Sequence, residues 1–437
     1  MKLNPKIIKK TLFNLIREMS THPWLYSTEP SKNFTRDRKL PFEKVLTLLI
    51  SMGGHTMRDE LMDHFGCDPE MASVSAFVQQ RSKILPEALE FLFHEFTTTC
   101  EEAKLCNGYR LLAVDGSDLQ VTANPQDPGS YFPGTPSQQH YSLLHLNALY
   151  DLLSRTYLDV VIQKRRNANE NAAFVQMIDR STINHHVIAL ADRGYESYNN
   201  IAHIERKGWN YLFRIKESQG ILDGFHICKD KPCDFDAHVI LTRKQTNRVK
   251  QLMQESPGLY RYVPTDATFD FLDLHNNLFY DLYFRIVRFP LGDGTFETVI
   301  TNLSRDSFSA DDLKQLYFRR WGIETSFRKL KYTVALNHFQ SKKVEHIYQE
   351  IFARLIMYNL CELITSHVVI QYESEKYVYQ TNFSAAVHIC RQFLRGNVTP
   401  PKLEATIKRF LAPIRPGRKE PRKLKPNTFK GFLYRIA

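Results

Sequence analysis

Residues 109–192 open with YRLLAVDG (109–116), continue through HLNALYDL (145–152) and TYLDVVIQ (156–163), pass into ENAAFVQMIDR (170–180) and close with HVIALAD (186–192). The first three runs are short, rich in Leu, Val, Ile and Tyr, and separated by polar and Gly/Pro segments, which is the pattern of consecutive strands. ENAAFVQMIDR spaces Ala, Phe, Val and Met as a helix does, and HVIALAD reads as a buried strand ending on a carboxylate. The order is β-β-β-α-β, with Asp115 on the first strand and Asp192 closing the fourth.

Upstream, from Leu12 to about Lys104, apolar residues recur at helical spacing, as in Phe42, Val45, Leu46, Leu49 and Ile50. Residues 1–106 are therefore expected to form a helical N-terminal domain. Within it, MRDELMDHF (57–65), GCDPEMAS (66–73) and VSAFVQQRSKIL (74–85) read as helix, Gly-containing turn and second helix, with Ser73 or Ser75 as cap. A DNA-binding helix-turn-helix would present Gln79, Gln80 and Arg81, although two helices joined by a short turn also occur in many all-helical cores.

Downstream, Trp209 to Leu303 holds strand patterns (YLFRIK, HVILTRK, TFDFLDL, LFYDLYFRIVRF, ETVITNL) over a stretch too long for a simple loop, so residues 211–303 are expected to be a β-rich insertion. Helical periodicity returns from Ser309 and again in VEHIYQEIFARLIMYNLCELI (344–364). The segment LAPIRPGRKEPRKLKPNTFKGFLYRIA (411–437) combines Pro, Gly and dense Arg and Lys, a composition equally suited to an arm over a phosphate backbone and to a solvated tail.

The chain has 437 residues, 43% of them hydrophobic, enough for two or three domains. Its 58 Lys and Arg against 47 acidic residues give a net charge of +11, so its surface attracts polyanions, nucleic acid first among them. The seven cysteines form no C-x-x-C pair and have no histidine at zinc-finger spacing, so they read as buried thiols in a reducing compartment. With no cleavable leader and no apolar run of membrane-spanning length, a cytoplasmic protein without a membrane partner is expected. The absence of repeats and low-complexity tracts argues against solenoids and disordered scaffolds.

The most specific local signal is YFRRWGIETSFRKLK (317–331), in which Tyr317, Arg320, Glu324 and Lys331 stand in a Y-x2-R-x3-E-x6-K spacing. On one helix those offsets return to nearly the same face, setting a carboxylate among phosphate-seeking groups. Taken alone, Arg320 and Glu324 would also read as an i,i+4 surface ion pair.

The β-β-β-α-β order with its two aspartates resembles the ribonuclease-H-like fold of polynucleotidyl transferases. With AVDGSDL (113–119), ADRGYES (191–197) and the 317–331 spacing, the chain resembles the DDE transposases of bacterial insertion sequences that bear the Tyr-Arg-Glu-Lys signature, the insertion sequence four family. RKLPFEKVL, SAFVQQRSKI and VITNL are shared features. The resemblance implies an α/β chain: a ribonuclease-H-like catalytic core (107–210 and 304–345) interrupted by the β-rich insertion, a DNA-binding N-terminal region and a helical C-terminal region with a basic tail (346–437).

It further implies that Asp115, Asp192 and Glu324 are the catalytic and metal-binding triad for two Mg²⁺ or Mn²⁺ ions, with Tyr317, Arg320 and Lys331 holding transposon-end DNA. Carboxylates suit such hard ions, and two ions can activate water and stabilise the leaving oxygen without a protein base. Asp118 and Glu196 are local competitors, though strand alternation turns Asp118 away from Asp115. Arg193, Tyr195, Arg214 and Lys216 are candidate phosphate contacts, with surface solvation an equal reading for Arg214 and Lys216.

Some relatives stack a flipped base on an aromatic residue of the insertion, commonly Trp; this one has no Trp after Trp209, leaving Phe and Tyr for that role. The expected activity is cut-and-paste transposition: binding terminal inverted repeats, cleaving the ends and joining 3′ hydroxyls to target DNA, with a homodimer assembled on double-stranded DNA in the bacterial nucleoid. The rivals are a ribonuclease-H-like nuclease without strand transfer and a catalytically silent DNA-binding protein.

Overall fold

The computed structural model describes residues 3–414 except 37, 136–138, 184–185, 218–219, 226, 229, 274, 276–277, 293 and 369–377. The basic stretch 415–437 lies outside the described residues.

Five helices come first: α1 (Pro5–Thr21), α2 (Phe42–Ser51), α3 (Met57–Phe65), α4 (Val74–Arg81) and α5 (Pro86–Thr99). Local chemistry sets their starts. The Asn4 side chain accepts from the N–H of Ile7, with Pro5 at the first helical position, and Thr56 and Ser73 cap α3 and α4 in the same way. Gly66, at φ +64°, ends α3 in the left-handed conformation that glycine adopts without a Cβ clash. In α1 the buried Ile8, Leu12, Ile16 and Met19 recur at helical spacing and form one stripe.

A large mixed sheet follows, built from β1 (Arg110–Val121), β2 (Tyr131–Phe132), β3 (Tyr141–Asp151), β4 (Thr156–Lys164), β5 (Val187–Ala191), β6 (Asn210–Arg214), β7 (Cys233–Thr242), β8 (Tyr260–Tyr262), β9 (Tyr280–Pro290) and β10 (Phe296–Thr301). Its order is β2-β3-β1-β5-β6-β10-β9-β7-β8, with β4 also pairing β3. β3 runs antiparallel to both β1 and β4, whereas β5 is parallel to β1 and β6 is parallel to β5. The β-rich stretch 211–303 extends this sheet: β10 pairs antiparallel with β6, and β9 and β7 continue outward from β10. β6 itself crosses the expected boundary at 210/211.

Helices cover both faces. α6 (Glu170–Arg180) and α7 (Tyr198–Arg206) pack Phe174, Ile178, Ile201 and Ile204 against Leu112, Val114, Val187 and Ala189. α8 (Asn247–Glu255) lies within the strand-rich stretch. On the opposite face α9 (Ala310–Arg319) sets Leu313, Leu316 and Tyr317 on Leu111, Ile188 and Leu190. Strand alternation sends neighbouring residues of β1 and β5 into different cores, which explains the unbroken apolar runs Leu111–Val114 and Val187–Ala191.

α10 (Trp321–Arg328) leads through a π-turn (Lys329–Thr333) to α11 (Val344–Ser366), α12 (Phe383–Leu394) and α13 (Pro400–Arg409); β11 (Val378–Thr381) and β12 (Leu411–Ile414) form a separate pair. α11 is buried along nearly its whole length, and one apolar cluster joins it to the N-terminal helices, with Ile8, Leu46 and Leu92 beside Ile351, Leu355 and Ile407. Polar locks reinforce the joint. The fully buried Arg81 of α4 donates to Glu350 Oε1 (3.0 Å), Gln349 Oε1 (3.2 Å) and the His346 carbonyl (2.9 Å). Arg354 of α11 reaches the carbonyls of Leu49, Met52 and Gly53 at the end of α2, where the helix leaves acceptors unpaired.

Candidate active site

β1 and β5 are parallel with Ala113 opposite Leu190, so two steps further along the same register Asp115 stands beside Asp192, just past the end of β5. The third carboxylate comes from across the sheet. α10 buries Ile323 and Phe327 in the core that holds Ala113 and Leu119, and its Ser326 hydroxyl lies 2.8 Å from that of Tyr157. That packing turns Glu324 towards the strand ends.

A buried guanidinium organises the three. Arg320 is 3% exposed and places Nη2 2.8 Å from Glu324 Oε1 and Nη1 3.7 Å from Asp115 Oδ2. Asp192 Oδ1 lies 3.8 Å from Arg214 Nη1 and 3.5 Å from the Tyr317 hydroxyl, and Arg214 is itself held by Glu297 at 2.8 Å. Burial pushes the Asp115 carboxyl up to about 6; the Gly116 N–H and Arg320 oppose the rise, while the charges of Glu324 and Asp192 add to it.

Among the described residues no set of three or more His, Cys, Asp or Glu side chains is already drawn together at metal-binding spacing. The carboxylates are instead spread over Arg320 and Arg214. Their chemistry nevertheless fits divalent cations: the donors are all hard carboxylate oxygens carried on a strand, a strand end and a helix.

The 317–331 stretch is not one continuous α-helix. α9 ends at Arg319, α10 starts at Trp321, and the π-turn places the Val334 N–H on the Lys329 carbonyl. Arg320 keeps right-handed helical angles at the junction, so Tyr317, Arg320 and Glu324 still share a side; the wider π-turn sets Lys331 apart, with Nζ donating to the Asp118 carbonyl at 2.6 Å.

Several expected DNA contacts need correction. Arg81 is fully buried against α11, and Gln80 is 9% exposed with its Oε1 accepting from Lys83 Nζ at 3.2 Å; of the three only Gln79 is exposed. Tyr195 is 2% exposed with its ring edge-on to Phe174, so it does not face a phosphate backbone. Tyr317 and Arg320 are buried too, but at the carboxylates themselves, Arg320 beside Asp115 and Glu324 and the Tyr317 hydroxyl beside Asp192. Arg193 and Lys216 are exposed, and Arg214 is half-buried in its ion pairs. Trp209 is buried, its indole N–H donating to the Ile183 carbonyl (2.7 Å); the large exposed aromatics of the strand-rich stretch include Tyr262, Phe279 and Tyr283. The cysteines are not uniformly buried, since Cys67 and Cys228 are exposed.

Both local competitors are occupied elsewhere. Glu196 accepts the N–H groups of Lys216 and Ile221 at 2.8 Å each. Asp118 pairs with His145 Nδ1 (2.6 Å) and Arg165 (2.9 Å), and the other His145 nitrogen lies 3.0 Å from Glu170. Sequence reading missed this His145–Glu170 unit beside Asp115, because it depends on the β1–β3 register. It also passed over Trp321, which is 52% exposed beside Arg320, whose guanidinium lies 5.3 Å from the ring centre.

Residues 107–360 match the model of the transposase DDE domain. The chain is 18% identical over 368 residues to the transposase for insertion sequence element IS231B of Bacillus thuringiensis subsp. berliner, covering 75% of this chain and 73% of that protein. A solved structure of the piggyBac transposase synaptic complex with hairpin DNA aligns over 95% of this chain and 87% of its own at 10% identity, with a TM-score of 0.48.

Proposed function

Since the chain belongs to the transposase DDE family, we propose that it binds the terminal inverted repeats of its own insertion sequence, cleaves the DNA ends by metal-assisted hydrolysis and joins the 3′ hydroxyls to target DNA in a cut-and-paste pathway. One observation carries this reading: Asp115 within β1 and Asp192 just past the end of the neighbouring β5 meet Glu324 from α10, with Arg320 beside Asp115 and Glu324 and Arg214 beside Asp192. The sheet order β4-β3-β1-β5-β6, with β1, β5 and β6 parallel, supports a ribonuclease-H-like core, and the Tyr317, Arg320, Glu324 and Lys331 spacing supports the Tyr-Arg-Glu-Lys group of insertion-sequence transposases.

Two divalent ions, Mg²⁺ or Mn²⁺, would supply a water activated near neutral pH and charge stabilisation for the leaving 3′ oxygen. Asp115, Asp192 and Glu324 are the residues that would hold these ions. Arg320 and Arg214, which balance these carboxylates here, are then free to offset the charge of the scissile phosphodiester. Arg193 and Lys331 line the approach, and Gln79, Lys216 and the exposed aromatics of the strand-rich stretch are secondary DNA contacts. Juxtaposing two ends implies a homodimer on DNA, in the bacterial cytoplasm at the nucleoid.

The test is cleavage of labelled DNA carrying both flanks of the gene, with Mg²⁺ or Mn²⁺, comparing wild type with Glu324→Ala. Metal-dependent cuts and joined products in the wild type, lost in the variant while end binding persists, are expected. Cuts without joining would assign a nuclease, and full cleavage by the variant would remove Glu324 from the triad.

A further inference from the structure

Asp115 is held from both faces of the sheet. Strand alternation puts it on the side of Ala113, in the core that α10 closes, and there Arg320 lies beside it. Gly116 and Asp118 turn the other way, with Val114, towards α6. On that face the His145 ring of β3 lies against Gly116, too close to admit a Cβ. It therefore rests on the peptide whose N–H donates to Asp115 Oδ1.

His145 is itself fixed at both nitrogens. Its Nδ1 lies 2.6 Å from Asp118 and its Nε2 3.0 Å from Glu170, the first residue of α6, so one ring joins β1, β3 and the helix. Glu170 Oε2 is 3.7 Å from where a Cβ on Gly194 would stand, which brings the start of α6 up to the turn that carries Asp192. A second tie runs beside it: the fully buried Asn200 of α7 donates to Asn171 Oδ1 (2.6 Å) and to the Tyr195 carbonyl (2.9 Å). The Tyr195 N–H in turn donates to the Asp192 carbonyl at 2.9 Å. Asp115 and Asp192 are thus linked through Gly116, His145, Glu170, Asn171 and Asn200, on the side of the sheet away from Arg320. Lys331 joins the same unit through the Asp118 carbonyl (2.6 Å).

We propose that His145, Glu170 and Asn171 are positioning residues of the active site, which set the spacing between Asp115 and Asp192 at which these carboxylates take up divalent ions. Their role rests on the three-carboxylate reading and adds a layer behind it. Placement of this kind matters because an error of about 1 Å at a reacting centre can cost about a hundredfold in rate. Charge favours a brace over a fourth metal ligand. Burial works against the charge of His145, but hydrogen bonds to Asp118 and Glu170 outweigh it. With Arg165 on Asp118 at 2.9 Å, two positive and two negative groups then cancel and leave no surplus for a cation.

The experiment titrates Mn²⁺ into the full chain on flank duplex, following free Mn²⁺ by electron paramagnetic resonance with the duplex alone as blank. Cleavage rate, duplex affinity and unfolding midpoint are measured on the same preparations of wild type, E170A, E170Q, N171A and E324A. A brace predicts that E170A weakens Mn²⁺ binding by about tenfold, as loss of a group behind a metal ligand does, with duplex affinity unchanged. N171A, which removes no charge, should shift Mn²⁺ binding in the same direction. E170Q, whose amide oxygen can still accept from His145, should restore most of the loss. Should E170A melt earlier than wild type, N171A and E170Q carry the comparison. Wild-type Mn²⁺ binding by folded E170A and N171A, alongside its loss in E324A, overturns the brace and leaves the triad in place. Equal losses in E170A and E170Q with N171A unchanged overturn it in favour of Glu170 as a ligand. A wild type that takes up no Mn²⁺ overturns both the brace and the three-carboxylate reading.

Discussion

Gly116 stands between Asp115 and the His145 unit, and its missing side chain is what lets both exist. A Cβ there would lie 2.3 Å from His145 Nε2 and 2.8 Å from Cε1, far inside contact distance. His145 has no room to yield: burial works against its charge, yet Asp118 and Glu170 on its two nitrogens hold its pKa above the ordinary value. Gly116→Ala is therefore expected to destabilise the fold by about 1–3 kcal/mol, as overpacking does. Because the Gly116 N–H also donates to Asp115 Oδ1 at 2.8 Å, DNA cleavage should fall further than the lost stability accounts for. Denaturant unfolding and a cleavage assay on the same preparation decide it, and an unchanged midpoint with unchanged cleavage would refute the steric argument. The sequence announces Asp115, Asp192 and Glu324 through strand ends and helical spacing. It conceals His145 and Glu170 because nothing local says which residue of β3 lies opposite Asp118.

At the scale of elements, strands and helices were legible wherever burial imposes a period: the β-β-β-α-β order, the N-terminal helices and the long α11 all follow their apolar patterns. Tertiary pairing was not legible. That β6 and β10 pair, carrying the 211–303 strands into the central sheet, depends on edges meeting far apart in sequence. The π-turn at Lys329–Thr333 was hidden as well, since one widened turn barely alters an apolar period. The packing of α7 yields a pH effect. Burial pushes Glu205 up from its ordinary 4.5 to about 7, against a smaller opposing influence of Tyr211. A carboxyl raised in the folded state binds its proton more tightly there than in the unfolded chain, so stability should fall as pH rises from 4.5 to about 7 and stay lowered above. Glu205→Gln should remove that slope and raise stability at pH above 7 by on the order of 1–3 kcal/mol, read from unfolding midpoints across pH. A variant with the same slope as the wild type would contradict it.

Across the whole molecule, the two helical regions are one body: residues before 107 and after 343 share an apolar core, and Arg81 is a polar bolt through it. Arg81→Ala would leave Glu350 buried without its partner, and the expected loss is about 3–5 kcal/mol. Circular dichroism during denaturant unfolding should show both helical regions melting together at a lower midpoint, whereas a small change would mean that apolar packing alone carries the joint. The same closure has a consequence for the order of synthesis. A ribosome adding roughly 5–20 residues per second has delivered Asp115 and Asp192 long before Glu324, and the N-terminal helices wait for α11 to cover them. A nascent chain halted before residue 320 thus carries two of the three carboxylates of the proposed site but neither α10 nor α11, which complete the core shared with the N-terminal helices. On the proposed three-carboxylate chemistry, truncated products of the gene that lack Glu324 are accordingly expected to be unable to cut DNA.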